Sequence, residues 1–374
     1  MKIGLVCPYN IFSGGGVQEC VLALQKGLSE RGHEVYIITP KPNGYKHHEH
    51  SGILLLGRAR PVRAVKTSAQ ISINIEPDKI EDLLESEDFD ILHFHEPWVP
   101  ILSMQLLSKS NAGHVATFHA AMSERRTSRT VEKVITPYTK SIFKYIDALT
   151  AVSPTATNYV KTLTRKNIEI VANGIDLEKY TFVNNHKPNP KSKKILYVGR
   201  LEKRKGVKYL LDAFKLLSDD DNSYRLSIAG NGPDREKLEQ YVEKEFIKNV
   251  KFLGYIDEKT KLKLLSESDI FCSPALYGES FGIVLLEAMA KGCVVVAGDN
   301  NGYQSVMTGR GKISLVNPKH PEDFARRIEL LATDEVLRKA WKTWARSHVQ
   351  QFDYEKVINR YMKIYKRIYE ESRK

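Results

Sequence analysis

Residues 3–18 read IGLVCPYNIFSGGGVQ and already indicate the architecture of this chain. The first five residues, Ile3–Cys7, are apolar and predict a strand that is buried on both faces. Three consecutive glycines, Gly14–Gly16, then open a segment of helical period over Gly16–Arg31. Glycine lets the backbone approach a bound group closely, and a helix N-terminus presents N–H groups to an anion. The stretch therefore predicts a strand, a glycine-rich turn and a helix that together suit phosphate binding.

The same alternation of short apolar runs and helical segments continues along the chain. The predicted strands are Ile3–Cys7, Glu34–Ile38, Ile91–His95, Ala116–Phe118, Ala148–Val152 and Glu169–Val171, and in a second series Lys194–Val198, Arg225–Ile228, Val250–Phe252, Ile270–Ser273 and Val294–Ala297. The predicted helices are Gly16–Arg31, Pro77–Ser86, Ser123–Tyr145, Val207–Leu217, Asp234–Phe246, Glu258–Glu267, Ser280–Lys291, Pro321–Leu331 and Tyr354–Tyr369. Repeated strand–helix units call for right-handed crossovers and doubly wound parallel sheets.

A polar seam near residues 170–190 separates the two series. We therefore expect an α/β protein made of two Rossmann-like domains whose parallel sheets face each other across a cleft. The first domain is predicted over residues 1–172 and the second over residues 173–352. The amphipathic helix within residues 353–374 is predicted to pack back on the first domain.

Composition narrows the class of protein further. The chain has 374 residues, 42% of them hydrophobic and 27% charged, which is typical of globular domains and excludes disordered and collagen-like chains. The formal net charge of +12 leaves nucleic acid, anionic membranes and phosphorylated small molecules open as partners. The four cysteines lie far apart, which argues against a disulfide framework or a structural zinc site and suits a reducing compartment. Because the sequence contains neither a signal-peptide pattern nor a long apolar run, we expect a cytoplasmic protein.

Polar residues at the carboxyl ends of the predicted strands are the candidate site residues, because ligands bind there in open parallel sheets. His95 and Glu96 end one strand of the first series, and His119 ends the next. Arg200 and Lys205 follow the first strand of the second series, where two cations suit a diphosphate.

The segment GESFGIVLLE, Gly278–Glu287, carries two carboxylates eight residues apart. Since eight residues are just over two helical turns, we expect Glu279 and Glu287 to share one helix face. A carboxylate among apolar residues needs partners such as sugar hydroxyls or a cation. The DxD spacings at Asp88–Asp90 and Asp219–Asp221 precede strands, so we interpret them as solvated turns and expect no metal site.

The glycine turn, His119, the two cations and the glutamate pair, in this order, resemble the retaining glycosyltransferases of the GT-B fold, family 4. Within that family the chain looks most similar to the bacterial phosphatidyl-myo-inositol mannosyltransferases. This resemblance depends on Ile3–Tyr9, His95-Glu96-Pro97, Leu102-Ser103-Met104, Ala116–His119 and Glu279–Val284. It implies a hexosyltransferase that uses a nucleotide-diphosphate sugar, keeps the anomeric configuration and needs neither a metal nor another cofactor.

The resemblance also implies a role for each candidate residue. Donor binding is assigned to Gly15, Gly16, Arg200, Lys205, Lys261, Glu279, Phe281, Gly282, Ile283 and Glu287. Of these, Arg200 and Lys205 would bind the diphosphate, Glu287 the ribose and Glu279 the sugar hydroxyls. The catalytic candidates are His119, Glu279, Arg200 and Lys205, and the acceptor side is assigned to Tyr9, His95, Glu96 and His119. The loop Ile256–Lys261 places Lys261 next to the base and favours GDP-mannose, while a UDP-sugar is the alternative donor.

The acceptor implied by the resemblance is a lipid-linked or other membrane-associated molecule or a glycan. The chain differs from the mannosyltransferases on the inositol-phosphate side of the pocket, where it has Phe12, Ser13 and Glu124. Arg126, Arg129 and Lys133 lie on one face of the predicted helix Ser123–Tyr145, and we expect them to contact anionic lipid at the inner face of the cell membrane.

Two other classes of function compete with glycosyl transfer. The positive charge permits a nucleic-acid-binding protein, but no nucleic-acid-binding motif is present, so nucleic acid is not an expected partner. A sugar-nucleotide epimerase is the other enzyme considered, and the spacing of Glu279 and Glu287 favours transfer over epimerisation.

Overall fold

The computed structural model of this protein describes residues 1–42, 51–64, 67–73, 76–120, 136–182, 189 and 191–373. The chain divides into two compact units. Unit 1 consists of Met1–Gly174 together with Tyr354–Lys374, and unit 2 consists of Ile175–Asp353.

Unit 1 is built on an eight-stranded sheet in the order β4-β3-β2-β1-β5-β6-β7-β8. The strands are β1 Lys2–Val6, β2 Glu34–Lys41, β3 Ile53–Ala64, β4 Thr67–Ile73, β5 Ile91–His95, β6 Gly113–Phe118, β7 Ala148–Ala151 and β8 Ile168–Ile170. All neighbours pair in parallel except β3 and β4, which are antiparallel. The central strands are buried on both faces, which explains their nearly continuous apolar sequences.

The edge pair β3–β4 was not predicted. The sequence of β3, ILLLGRARPVRA, carries three arginines and a proline, which interrupt the apolar pattern that predicts a buried strand.

The helices of unit 1 connect these strands. They are α1 Gly16–Ser29, α2 Pro77–Glu87, α3 Leu102–Lys109 and α4 Pro154–Lys161, and residues 136–142 are also helical. Sequence analysis missed α3 and α4, since a helix of eight residues is too short to show a clear period. The predicted membrane-facing residues Arg126, Arg129 and Lys133, and Glu124, lie outside the described residues.

The last helix, Tyr354–Glu371, belongs to unit 1 although it follows unit 2 in the chain. Its apolar face, which includes Ile358, Tyr361 and Tyr365, joins the hydrophobic core formed by α1 and the central strands. The last helix therefore contributes buried apolar side chains to the core of unit 1.

Unit 2 contains a six-stranded, fully parallel sheet in the order β11-β10-β9-β12-β13-β14. Its strands are β9 Lys193–Val198, β10 Tyr224–Ala229, β11 Val250–Gly254, β12 Ile270–Ser273, β13 Val294–Gly298 and β14 Leu315–Val316. Its helices are α5 Val207–Asp220, α6 Arg235–Lys244, α7 Glu258–Glu267, α8 Ile283–Ala290, α9 Asn301–Gln304, α10 Pro321–Thr333 and α11 Glu335–Val349, after which α12 is the last helix, Tyr354–Glu371.

The short strand β14 and helices α9 and α11 were not predicted. Helix α11 buries only Trp341, Ala345 and Val349, so its polar composition concealed its apolar face. The predicted α/β class with two domains of parallel strands is confirmed, with the antiparallel edge pair β3–β4 as an addition.

Candidate active site

The loop after β9 brings a set of basic residues to the carboxyl end of the unit 2 sheet. Lys203–Lys205 form a 3-10 turn that ends at Gly206, whose φ is 71°. A Cβ on Gly206 would collide with the carbonyl oxygen of Pro274, just after β12. Glycine at this position therefore lets the basic turn approach the neighbouring strand end closely.

Glu279 binds two cations of this basic turn. One of its oxygens, Oε1, accepts hydrogen bonds from Arg204 at 2.7 Å and from Lys205 Nζ at 2.8 Å. Arg204 also pairs with Glu202 at 2.7 Å and donates to the carbonyl oxygen of Gly278. Burial lowers the pKa of Arg204, but the carboxylates of Glu279 and Glu202 raise it by more, so this pKa lies above its usual value. Glu279, Arg204 and Lys205 thus form a compact ionic cluster.

Sequence analysis predicted Arg200 and Lys205 as the cations of this region and missed Arg204. In the structure, Lys205 forms a salt bridge with Glu279, whereas Arg200 is exposed just after the end of β9. Arg204 lies inside the run LEKRKG that was already singled out, so the run itself was a usable signal. Sequence alone did not distinguish which of its basic residues face Glu279.

The prediction that Glu279 and Glu287 share one helix face is wrong. Helix α8 begins only at Ile283, so Glu279 lies in the preceding loop. Gly282 has a φ of 114°, which breaks the helical path, and a Cβ there would lie 2.7 Å from the ring of Tyr303. Phe281, just before this glycine, is buried and packs edge-on against Phe352 at a ring-centroid distance of 5.7 Å.

Glu287 is buried on α8 and belongs to a second cluster. Its Oε1 accepts hydrogen bonds from the Tyr180 hydroxyl at 2.6 Å and from Lys261 Nζ at 2.8 Å. Glu258 also pairs with Lys261, at 2.9 Å, and its Oε1 lies 2.7 Å from the Tyr180 hydroxyl, whose single hydrogen binds one of the two carboxylates at a time. The structure therefore brings together Lys261 and Glu287, which were predicted separately as donor-binding residues, and it adds Tyr180 and Glu258, which sequence analysis missed.

The protonation of this second cluster follows from its contacts. Burial lowers the pKa of Lys261, but Glu287 and Glu258 raise it by more, so Lys261 has a pKa above its usual value. Burial raises the pKa of Glu258, yet hydrogen bonds from Lys179 and two further donors bring it down to about 2. Lys261 and Glu258 are therefore ionised at neutral pH.

The glycine-rich turn lies in unit 1, between β1 and α1. Gly15 is the N-cap of α1, and a Cβ on it would lie 2.5 Å from the Gln18 side-chain oxygen. The Gln18 amide group reaches back to the carbonyl oxygen of Asn10 at 3.4 Å. Gly16 begins the helix, as the sequence predicted.

Polar side chains meet at the carboxyl ends of the neighbouring strands β5 and β6. A 2.9 Å hydrogen bond joins His95 Nδ1 to His119 Nε2. The carboxylate of Glu96 accepts the backbone N–H groups of His119 at 2.7 Å and Ala120 at 2.5 Å. Burial, together with Glu96, raises the pKa of Tyr9 well above its usual value. The structure thus brings His95, Glu96 and His119 together, as their strand-end positions suggested.

Burial keeps this group of side chains neutral. It lowers the pKa of His119 to about 3 and that of His95 well below the usual range. It raises the pKa of Glu96 to about 8, against the opposing effect of the two backbone N–H donors. Two residues before His95, His93 bonds to Tyr365 of the last helix at 2.7 Å and to Thr117 at 2.6 Å.

The aspartates of the two DxD spacings have local structural roles. Asp90 accepts the backbone N–H of Lys2 at 2.8 Å, and Asp221 pairs with Lys193 at 2.6 Å. Each aspartate therefore ties together residues at strand starts. Within the described part of the chain, every helix is too short or too polar to span a bilayer.

Two family models cover most of the chain. The model described as Glycosyltransferase Family 4 matches residues 14–179, and the model described as Glycosyl transferases group 1 matches residues 179–348. Phosphatidyl-myo-inositol mannosyltransferase of Mycolicibacterium smegmatis is 31% identical, over 98% of this chain and 94% of that protein. The enzyme of the same name from Mycobacterium leprae is 30% identical, over 98% of this chain and 97% of that protein.

Solved structures show the same architecture. Sucrose-phosphate synthase from Thermosynechococcus elongatus matches with a TM-score of 0.79 at 20% identity, over 98% of this chain and 99% of that one. Anabaena HepE in complex with UDP-glucose matches with a TM-score of 0.75 at 16% identity, over 97% and 99% of the two chains. The fold and the family matches define a glycosyltransferase of the GT-B type. More narrowly, the chain belongs to glycosyltransferase family 4 and is an enzyme of the hexosyltransferase class, as the motifs indicated.

Proposed function

We propose that this enzyme transfers mannose from GDP-mannose to a lipid-linked or membrane-associated acceptor. The observation that carries the proposal is the similarity, over nearly the whole chain, to proteins named mannosyltransferases. The two ionic clusters of unit 2 support it, because they hold cations and carboxylates of the kind that bind diphosphate and hydroxyl groups.

The donor is proposed to bind at the carboxyl end of the unit 2 sheet. Arg200, Lys205 and the newly found Arg204 would bind the diphosphate through charge-assisted hydrogen bonds. Arg204 and Lys205 contact Glu279 in this structure. A bound diphosphate would contact the same two cations and compensate their charge, which would leave the Glu279 carboxylate available to accept hydrogen bonds from sugar hydroxyls. The backbone of Phe281 and Gly282, followed by Ile283, would line the sugar.

The second cluster is proposed to bind the nucleoside. Glu287 would accept hydrogen bonds from the ribose hydroxyls, and Lys261 would lie next to the base. Tyr180 and Glu258 are positioning residues in this proposal, because they hold Glu287 and Lys261 in place from two elements. In unit 1, Gly15 and Gly16 would offer backbone N–H groups to a phosphate oxygen.

We propose transfer with retention of configuration and without a metal ion. The acceptor hydroxyl attacks the anomeric carbon on the face from which the diphosphate departs. The new glycosidic bond forms as the bond from the anomeric carbon to the phosphate oxygen breaks, and the hydroxyl proton passes to that oxygen. Cations at the diphosphate stabilise the charge that develops on it, so no carboxylate is needed as a nucleophile.

The acceptor side is proposed to lie at the ends of β5 and β6. His119 would meet the sugar near the reacting carbon, and Tyr9, His95 and Glu96 would shape the acceptor pocket. The resemblance places Phe12 and Ser13 on the inositol-phosphate side of the pocket, where neither side chain carries a charge, so the acceptor headgroup is proposed to differ from phosphatidylinositol. Arg126, Arg129 and Lys133 are proposed to contact anionic lipid, and sedimentation with anionic vesicles at low and high salt tests this.

A ligand panel tests the donor assignment. Thermal unfolding is measured with GDP-mannose, UDP-glucose and duplex DNA, each with and without a chelator. A ligand at about 100 times its Kd stabilises the folded protein by about 2.7 kcal/mol, so we expect a clear rise in Tm with GDP-mannose and none with DNA. A larger rise with UDP-glucose would overturn the donor assignment in favour of a UDP-sugar, and loss of the GDP-mannose effect on chelation would overturn the metal-free mechanism.

A further inference from the structure

We propose that Cys20, His95 and His119 form a binding site for a soft or borderline transition-metal ion such as Zn²⁺ or Cu⁺. The thiol sulfur of Cys20 and one ring nitrogen from each histidine all lie within 4.8 Å of one another. No other group of three or more His, Cys, Asp or Glu side chains in the described parts of the chain is arranged in this way. Metal binding here would inhibit transfer, an effect that depends on the proposed role of His119.

Three different elements build the site. Cys20 lies on α1, His95 ends β5 and His119 directly follows β6. Because β5 and β6 are parallel neighbours, their last residues reach the same edge of the sheet, and α1 packs on the same hydrophobic core. The exposed fractions are only 2% for Cys20, 0% for His95 and 7% for His119. The three donors are therefore held by the rigid core of unit 1.

A second observation also points to a ligand. His95 uses Nδ1 in its hydrogen bond to His119, whereas its Nε2 is buried without a hydrogen-bond partner among the described residues. A buried polar atom without a partner is costly, so a ligand that binds Nε2 removes that cost. Metal coordination is one interaction that a deprotonated ring nitrogen makes.

The donor set determines the class of metal. One sulfur and two imidazole nitrogens suit Zn²⁺ or Cu⁺ and do not suit Mg²⁺, which prefers oxygen ligands. With metal–ligand bonds of about 2.0–2.3 Å, three ligands leave a fourth position for water or substrate, as in open zinc sites. When the ion binds, the Cys20 thiol loses its proton to solvent and the sulfur takes up the metal. The hydrogen bond between His95 and His119 breaks, so that each ring offers the lone pair of one nitrogen to the ion.

Occupation of this site would remove His119 from the reaction. A ring nitrogen that binds a metal is not available to a sugar hydroxyl, and the ion places a positive charge where the acceptor is proposed to bind. The protein would therefore need no metal for transfer and yet be inhibited by a soft one. Mg²⁺ would have no such effect.

The full-length protein allows binding to be measured without activity. Co²⁺, which replaces Zn²⁺ in such sites, is titrated into the wild type, and competition by Zn²⁺ follows. We expect a thiolate-to-cobalt charge-transfer absorption with one ion per chain, displaced by Zn²⁺. Cys20→Ser and, should that variant misfold, Cys20→Ala are expected to lose this absorption and to weaken Zn²⁺ binding at least about tenfold.

Two further cysteines supply matched controls. Cys293 is a buried thiol of unit 2, and Cys7 is a buried thiol of unit 1 outside the proposed site. Cys293→Ser and Cys7→Ser are expected to keep the absorption. Its persistence in both Cys20 variants, or its loss in a control, would overturn the site.

Inhibition is measured separately. In the wild type, Zn²⁺ at concentrations that saturate the site is expected to reduce donor turnover, and in Cys20→Ser the inhibitory concentration should rise at least about tenfold. Equal inhibition of both proteins would overturn the inhibitory role. If the protein fails to turn over GDP-mannose, the proposed function is wrong, whereas the Co²⁺ spectrum still decides the metal site.

Discussion

Unit 1 and unit 2 each place polar side chains at the carboxyl ends of a parallel sheet, but the side chains differ in charge. In unit 1, burial keeps His95 and His119 deprotonated and raises the pKa of Glu96 to about 8. In unit 2, the carboxylates of Glu279 and Glu287 are each paired with basic side chains at 2.7–2.8 Å. The same arrangement of parallel strands therefore presents neutral side chains in unit 1 and ion-paired side chains in unit 2.

This difference has a physical reason and a functional consequence. A histidine or carboxyl group that is buried without an ionic partner is stable only in its neutral form, whereas paired groups keep their charges. A neutral site suits hydroxyl groups, and an ionic site suits a diphosphate. The difference agrees with the proposed roles, in which the neutral side chains of unit 1 belong to the acceptor side and the ionic clusters of unit 2 bind the donor.

The largest effect is expected from breaking the neutral network of unit 1. His93→Ala removes a partner from the buried hydroxyls of Tyr365 and Thr117 and leaves a cavity. An unsatisfied buried polar group costs about 1–3 kcal/mol, and the lost packing adds to it, so we expect the free energy of unfolding to fall by roughly 3–4 kcal/mol. Denaturant unfolding of the full-length protein measures this.

An exposed histidine provides the comparison. His320 lies on the surface at the start of α10, and its side chain makes no capping hydrogen bond there. His320→Ala should change the free energy of unfolding by less than about 0.5 kcal/mol. Equal losses in the two variants would show that the buried network does not contribute specifically.

The next effect is expected on catalysis, from breaking the ionic site of unit 2. Glu279→Ala and Glu287→Ala should each lower turnover at least about tenfold, which corresponds to about 1.4 kcal/mol at the barrier. Each change removes a proposed contact to the donor and deprives the neighbouring cations of one carboxylate partner, while the fold is retained. Steady-state kinetics and circular dichroism measure the two properties.

Glu335→Ala is the matched control for an ion-paired glutamate outside the site. Glu335 pairs with Lys339 at 2.8 Å, and its side chain is 65% exposed. We expect nearly unchanged turnover for this variant. If Glu279→Ala and Glu287→Ala behaved like Glu335→Ala, the donor site would have to lie elsewhere.

The smallest effect is expected from acid titration of the ionic site. The pKa of Glu258 is lowered to about 2 from its usual 4.5, so its ion pairs stabilise the folded protein above pH 4.5 and are lost as the pH falls toward 2. Since this side chain is 40% exposed, solvent screens the pairs and we expect only about 0.5–1 kcal/mol. Glu258→Gln should therefore be less stable than the wild type at pH 6, and the difference should shrink below pH 4.5. A difference that stays constant down to pH 2 would contradict this account.

Much of the architecture was predictable because it depends on local patterns. The apolar runs around Leu5, Phe94 and Cys272 are buried on both faces, and such runs predict central strands of a parallel sheet. The glycine turn before Val17 and the helix that follows it were also clear from sequence. The short helices α3 and α4 were not, because eight residues barely complete two turns.

Sequence analysis predicted several residues of the candidate site but missed some of their partners. Strand-end position identified His95, Glu96 and His119, since parallel neighbours end at one edge. Sequence did not identify Tyr180 as a partner of Glu287, because 107 positions separate the two residues and no local period links them.

Sequence by itself determined which residues are apolar, where the central strands and most of the long helices form, that two strand–helix series follow each other, and that the last helix packs back on the first domain. Only the tertiary structure decided that helix α8 begins after Gly282, so that Glu279 lies in the preceding loop and pairs with Arg204. It likewise decided that His95 and His119 stay neutral while Lys261 and Glu258 keep their charges. The physical reason is that charge state and pairing depend on burial and on contacts between distant residues, which local sequence patterns do not encode.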